Sequence, residues 1–296
     1  MTDRIKMRDI HSRYFNSTHW DGFALRPDDI VIATWAKSGT TWMQQIVSQL
    51  VFDGAEGLDL QGLSKWVDEF DTAPQDLAGL AAQEHRRFLK SHLPADALTI
   101  SQKVKYIYIA RDGRDVAWSA HNHHYNATED YFAHYNSHPP GLGPLLERGS
   151  PDPRVFFAKW LAEDGYPFFP YWENLRSWWA LRNEPNVLMV HFNALKADLP
   201  AAVSRIATFL DIHPDAETMA KILSHSTFAY MKAHARQMAP NAGGDIEIWT
   251  GGADTFINKG TNGRWRDVLS AAEVADYEAR ALAELGADCA AWLGQA

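Results

Sequence analysis

The chain has 296 residues, nearly half of them hydrophobic, so it can bury a large core without metals or disulfides. Its formal net charge of −9 argues against nucleic acid or an anionic membrane as the main partner, and leaves an anionic substrate to a few local cations and backbone N–H groups. Cys289 is the single cysteine, the first fifteen residues carry no apolar signal core, and no apolar run approaches the roughly 18 residues of a membrane span, which together point to a reduced, cytoplasmic protein.

Asp29–Thr34 (DIVIAT) reads as a buried strand, and Met43, Ile46, Val47 and Leu50 follow at helical spacing. The tight turn between them is Trp35–Gly39. Phe88–Lys90 is a short strand ahead of the Ser91-His92-Leu93-Pro94 break. Lys103–Ala110 is another strand, with a turn at Arg111–Gly113 and a helix over Arg114–His124. Residues 125–175 are rich in His, Pro, Gly and aromatics, and read as an insertion over the active site, with lid-like mobility at 125–160. Asn186–Phe192 is a further strand, followed by a helix from about Asp198 to Leu210. The Gly- and Asn-rich stretch 239–263 reads as a long functional loop. A capping box, Ser270-x-x-Glu273, opens a last helix with Val274, Tyr277, Ala281 and Leu285 on one face.

Strands alternating with helices predict a single α/β domain over 1–296, with a central parallel sheet flanked by helices on both faces. Ligands of such sheets sit at the carboxyl ends of the strands, so the turns after Thr34, Lys90 and Ala110 should converge on one rim. The 12 Trp and 14 Phe exceed what a core of this size needs, so some should line an apolar pocket.

Lys37-Ser38-Gly39-Thr40-Thr41-Trp42 falls where a strand turns into a helix, a place that presents free N–H groups and a positive helix end to an anion. Gly39 allows close backbone approach, the threonines add hydroxyl donors, and Lys37 adds a mobile charge. The nucleoside-triphosphate loop is a different pattern, because its lysine follows the second glycine while Lys37 precedes Gly39.

The segment Trp35–Trp42 (WAKSGTTW) resembles the 5′-phosphosulfate loop of the cytosolic sulfotransferases, TYPKSGTTW, which use 3′-phosphoadenosine 5′-phosphosulfate (PAPS). Trp35 and Ala36 depart from the family's Tyr and Pro. Lys90-Ser91-His92-Leu93-Pro94 resembles K-[TS]-H-L-P, whose histidine is the catalytic base. Arg111–Ser119 (RDGRDVAWS) resembles the 3′-phosphate segment, whose ligands are its first Arg and last Ser. Lys259–Arg266 resembles the closing segment R-K-G-x-x-G-D-W-K. Four matches in order, each at a loop expected on the same rim, span about residues 29–266.

The resemblance implies transfer of a sulfuryl group from PAPS to a hydroxyl of a small, apolar or aromatic acceptor. In that scheme His92 takes the acceptor proton, Lys37 neutralises the bridging oxygen, and Lys90 meets the sulfuryl oxygens. Lys37, Ser38, Gly39, Thr40 and Thr41 then bind the 5′ side, and Arg111, Ser119, Lys259 and Gly260 bind the 3′-phosphate. Trp42 and Ser226 contact adenine, Trp66 and His123 line the acceptor pocket, and Ser119 holds Lys37 off until acceptor binds. Asn258 replaces a family arginine and Phe192 lies where the family carries a tyrosine. The family's dimerisation motif is poorly kept around Arg266–Glu273, which leaves the oligomeric state open.

No metal is expected: His121, His123 and His124 do not share one helix face. A nucleotide kinase and a non-catalytic adenosine 3′,5′-bisphosphate (PAP) binder are the competing readings. The missing nucleoside-triphosphate loop weighs against the first, and the second leaves His92 without a purpose.

Overall fold

The computed structural model describes residues 3–240 and 246–295. Four strands, β1 (Ile30–Ala33), β2 (Phe88–Ser91), β3 (Lys105–Ala110) and β4 (Val187–His191), form one parallel sheet in the order β2-β1-β3-β4. Its register sets Ile32 beside both Lys90 and Ile107, and Tyr108 beside Met189. The eight longer helices are α1 (Thr40–Val51), α2 (Pro74–Ala82), α3 (Gly113–Tyr125), α4 (Glu129–Asn136), α5 (Pro153–Ala162), α6 (Tyr171–Trp179), α7 (Leu199–Phe209) and α8 (Ala216–His225), before a last helix, α9 (Ala271–Leu293), broken at Gly286.

The two-residue side-chain period of the strands sorts the core into two different layers. Ile30, Ile32, Ile107 and Ile109 face Met43, Ile46 and Val47 of α1 and Val203 and Ile206 of α7 in an aliphatic layer. Val31, Ala33, Tyr106 and Tyr108 face an aromatic layer that includes Trp160, Trp172, Trp178 and Tyr277. At the far end of β1 the Arg87 guanidinium pairs with the Asp29 carboxylate, both fully buried, so each charge keeps a partner away from water.

Three of the expected strands shorten by two residues, because the flanking residues turn, while the expected Phe88–Lys90 strand gains Ser91. Thr34 leaves the sheet for the turn, and Phe192 opens a short helix, Phe192–Ala197, instead of extending β4. Residues 125–175 are partly helical. They supply α4, α5 and the start of α6, and bury Tyr131, Phe156, Phe157 and Trp160, because their many aromatics have a core to enter. The capping box of α9 is present, with the Ser270 hydroxyl accepting from Glu273 N–H and the Glu273 carboxylate accepting from Ser270 N–H. Among the described residues no helix is long and apolar enough to cross a membrane. Within the expected closing loop, residues 241–245 lie outside the described residues.

Candidate active site

The carboxyl ends of β1, β2 and β3 open into one cavity of about 850 Å³. Parallel strands carry their following turns to the same edge, so Lys37, His92 and Arg111 reach this cavity from three separate turns.

The turn after β1 is held in an unusual backbone shape. Lys37 has φ 67°, a left-handed value uncommon for a side-chain-bearing residue, and Gly39 has φ 113°. A Cβ on Gly39 would lie 2.8 Å from Phe192 Cδ2 and 2.9 Å from Ile109 Cδ1, so only glycine fits there. Gly39 caps α1 without a side chain, which leaves the first N–H groups of the helix directed at the cavity rim. Ser38 Oγ is buried with no hydrogen-bond partner among the described residues. The free helix start, rather than that buried hydroxyl, is what suits an anionic ligand with several oxygens. Trp35 is fully buried and its indole N–H donates to the Phe169 carbonyl at 2.9 Å, which ties the turn to the segment before α6.

His92 follows β2. Its Nδ1–H donates to the Thr34 carbonyl at 2.7 Å, which makes Nε2 the lone-pair nitrogen. Its backbone N–H donates to Asp68 at 3.1 Å, its carbonyl accepts from Asn174, and the Trp66 ring stands edge-on at 4.7 Å. The Asp68 carboxylate also accepts from the indoles of Trp20 and Trp66, at 3.0 and 2.7 Å. Burial, then the neighbouring Lys90 and Lys37 charges, hold the His92 imidazole well below its ordinary range, so it is neutral at pH 7.

Three cations meet here. Burial, together with Lys90 and Arg111, brings the Lys37 ammonium down to about 7. Lys90 is lowered by burial as well, with Glu69 and Asp68 pulling the other way, and its ammonium sits 4.4 Å from the Trp66 ring centre. The Arg111 guanidinium stacks on Phe192 at 4.4 Å and donates to Asn262 Oδ1 from Nε at 3.1 Å and Nη2 at 2.5 Å. Within the same motif Asp112 caps α3 and pairs with Arg114, whereas Asp115 accepts the Gly263 N–H at 2.7 Å and anchors the closing segment. Asp59, Glu69, Asp71, Asp76 and Asp115 line the same cavity, so it is the local grouping of Lys37, Lys90 and Arg111, not the charge of the whole lining, that suits an anion.

The family model for the sulfotransferase domain matches residues 27–285. This chain belongs to the sulfotransferase family. A glycolipid sulfotransferase of Mycobacterium bovis is 31% identical, with 99% of this chain and 94% of that protein covered. Sulfotransferase 1E1 of Rattus norvegicus is 26% identical over 89% of this chain and 84% of its own length. Among solved structures, mouse sulfotransferase SULT7A1 complexed with PAP superposes with a TM-score of 0.69 at 21% identity, covering 93% of this chain and 91% of that one. Retinol dehydratase with androsterone and PAP superposes at 0.67 and 24% identity, covering 90% and 83%. At these identities the structural likeness speaks for the fold.

In this sulfotransferase the cavity is lined by Lys37, Gly39, Thr40, Thr41, Trp42, Trp66, Lys90, His92, Arg111, Ser119, His123, Lys259 and Gly260. Ser38 and Ser226 are not on the lining. Ser38 turns its hydroxyl inward, and Ser226 is fully buried behind Trp42, whose indole N–H donates to the Ser226 carbonyl at 2.8 Å. The expected contact between Ser119 and Lys37 is absent among the described residues. The Lys37 ammonium instead lies 3.2 Å from Nδ1 of His123, one turn of α3 beyond Ser119, and 4.5 Å from the centre of the Phe256 ring. Trp249 Nε1–H donates to that same His123 nitrogen at 3.2 Å, so Nδ1 is the acceptor and Nε2 carries the proton. His121 and His124 point elsewhere, one to the Ser150 carbonyl and the other to the Tyr14 hydroxyl.

The sequence reading missed Asp68, Asn262, Trp249 and Phe256. The two aromatics stand out in a Gly- and Asn-rich stretch and had a signal to offer. An aspartate two residues after a tryptophan carries none.

Proposed function

We propose that this sulfotransferase takes its sulfuryl group from PAPS and moves it to a hydroxyl of a small apolar or aromatic acceptor, with His92 as general base. The observation that carries the reading is the pinned tautomer of His92: Nδ1–H is committed to the Thr34 carbonyl, so the neutral imidazole has one basic nitrogen to offer the cavity it lines. His92 Nε2 takes the acceptor proton as the acceptor oxygen bonds to sulfur. The bond between sulfur and the bridging oxygen breaks, and Lys37 neutralises the charge left on that oxygen. Lys90 faces the sulfuryl oxygens. Positioning does most of the work in such loose transfers.

The turn Lys37–Thr41 suits the 5′-phosphosulfate, while Arg111, Ser119, Lys259 and the Gly260 N–H suit the 3′-phosphate. Both related structures were solved with PAP, the product such a transfer would leave. Aromatic walls supplied by Tyr14, Trp66, Phe168, Phe169 and Trp249 favour a flat apolar alcohol. One cavity of about 850 Å³ has to hold donor and acceptor together, which favours a compact acceptor over a whole glycolipid. The test pairs a PAPS-coupled screen of phenols, aliphatic alcohols and glycolipids with the His92→Ala variant. His92→Ala should keep its PAP affinity and lose roughly 10²–10⁴ in turnover. Turnover at the wild-type rate would remove His92 from the mechanism.

A further inference from the structure

On the acceptor side of the cavity three side chains from distant parts of the chain meet. They are Asp71, in the turn after Trp66, His134 near the end of α4, and His138 just beyond it. His134 and His138 stand four residues apart, one helical turn. One ring nitrogen of each histidine and one Asp71 carboxylate oxygen all lie within 4.8 Å of one another. His134 Nε2 is 2.9 Å from Asp71 Oδ2, and His138 Nε2 is 3.1 Å from Asp71 Oδ1.

The state of His138 decides what this cluster is. Its Nδ1–H donates to the Arg13 carbonyl at 2.9 Å, so in the neutral ring Nε2 carries a bare lone pair. That lone pair is aimed into the cluster from a side chain only 6% exposed, and Nε2 makes no hydrogen bond of acceptable geometry among the described residues. A bare imidazole nitrogen facing a carboxylate oxygen sets two lone pairs against each other, at a cost unless something positive lies between them. Phe70 stacks on the His138 ring at 4.4 Å and 29°, which fixes its direction. A ring nitrogen bonded to a backbone carbonyl, with the other nitrogen free, is how metal-ligating histidines are held. Arg13, whose carbonyl provides that support, is itself clamped by donating to the carbonyls of Tyr135 and Pro144.

We propose that Asp71, His134 and His138 form a site for a divalent transition-metal ion, zinc by ligand type, that cross-links the 69–72 turn to the end of α4. Two neutral imidazoles and one carboxylate are a familiar three-ligand set for zinc, with water able to complete a tetrahedron. Donor atoms about 2.0–2.1 Å from a tetrahedral ion lie about 3.3 Å apart, and the two histidine–carboxylate separations here are 2.9 and 3.1 Å, each to its own oxygen of Asp71. Asp71 and His134 line the cavity, so the ion would stiffen the acceptor rim and stand away from the donor turn. The site takes no part in the proton transfer assigned to His92, and it stands whichever donor the enzyme uses.

The test uses the full chain without a histidine tag, stripped with EDTA and dialysed. Titration with Co²⁺ should give visible absorption saturating at one ion per chain, and Zn²⁺ should displace it. Zn²⁺ should raise Tm by several degrees over the stripped protein. Asp71→Asn and His134→Gln, both at the partly exposed rim and checked for folding by circular dichroism, should each weaken binding at least about tenfold. The stripped wild type should keep its PAP affinity within about twofold, which separates metal loss from loss of the donor site. Absence of Co²⁺ absorption in the folded wild type would mean an imidazolium–carboxylate pair only and would overturn the proposal. Unchanged binding in both variants would overturn it equally.

Discussion

Replacing Arg111 with alanine tests the donor reading most directly, because a 3′-phosphate separates PAP from 5′-AMP and Arg111 is the cation placed to meet it. Arg111 follows β3 to the cavity, its guanidinium lies over the Phe192 ring at 4.4 Å, and its backbone carbonyl accepts from the Tyr171 hydroxyl at 2.8 Å. Its donors now serve Asn262 Oδ1, with longer contacts to the Lys37 and Thr261 carbonyls at 3.4 and 3.3 Å. Exchanging such neutral acceptors for a phosphate converts ordinary hydrogen bonds into charge-assisted ones, each contributing about 1.5–3 kcal/mol. Two of them amount to at least about 3 kcal/mol, or over a hundredfold in Kd. Calorimetry on the wild type should therefore find PAP bound at least about a hundredfold tighter than 5′-AMP. Arg111→Ala should lose most of that preference while its AMP affinity shifts little. Arg111→Lys should recover only part, since an ammonium cannot offer two parallel N–H groups. Equal wild-type affinities for the two nucleotides, or an unchanged preference in Arg111→Ala, would refute the assignment.

Gly39→Ala forces a Cβ against Phe192 and Ile109 at a left-handed φ, so calorimetric melting should show about 1–3 kcal/mol of destabilisation together with weakened PAP binding. Lys37 in the free protein loses its proton near pH 7, and an anionic ligand favours the charged form, so PAP binding should take up a proton above pH 7. Its Kd should then rise by up to about tenfold per pH unit until the pKa of the complex is reached, an effect Lys37→Met abolishes, and calorimetry in buffers of different ionisation heat counts the proton. Because burial and two lysines hold His92 neutral, the acid limb of kcat/KM should lie below pH 6.5, and a limb above that value would contradict its environment. Asp68→Ala leaves the Trp20 and Trp66 indoles and the His92 N–H without an acceptor. Positioning through Trp66 and His92 predicts a raised acceptor KM and a lowered kcat with unchanged PAP affinity, whereas a merely structural role would lower Tm alone.

Much of the site was readable from residue order, because its parts are local. The Lys37–Trp42 turn, the His92 segment and the Arg111 segment each follow a strand, and parallel strands deliver their turns to one edge. Residue order is silent where a residue type has two uses. Trp35, Trp160, Trp172 and Trp178 are fully buried core, while Trp42, Trp66, Trp118 and Trp249 line the cavity, and side-chain chemistry alone does not separate the two groups. The insertion at 125–175 shows the same ambiguity, since its composition does not reveal that Tyr131, Phe156, Phe157 and Trp160 fill the layer beneath the sheet.

The sequence by itself determined the alternation of strands and helices, the direction of the sheet, and the family, since each depends on periods and turns only a few residues long. Tertiary structure alone decided which nitrogen of His92 is basic, because that depends on the Thr34 carbonyl, 58 residues away. It decided that Lys37 rests on His123 rather than Ser119, and that burial beside two other cations lowers its pKa. It also brought Asp71 to His134, across 63 residues of chain. Tautomers, pKa shifts and ligand clusters are properties of neighbours in space, and the packing of the core chooses those neighbours.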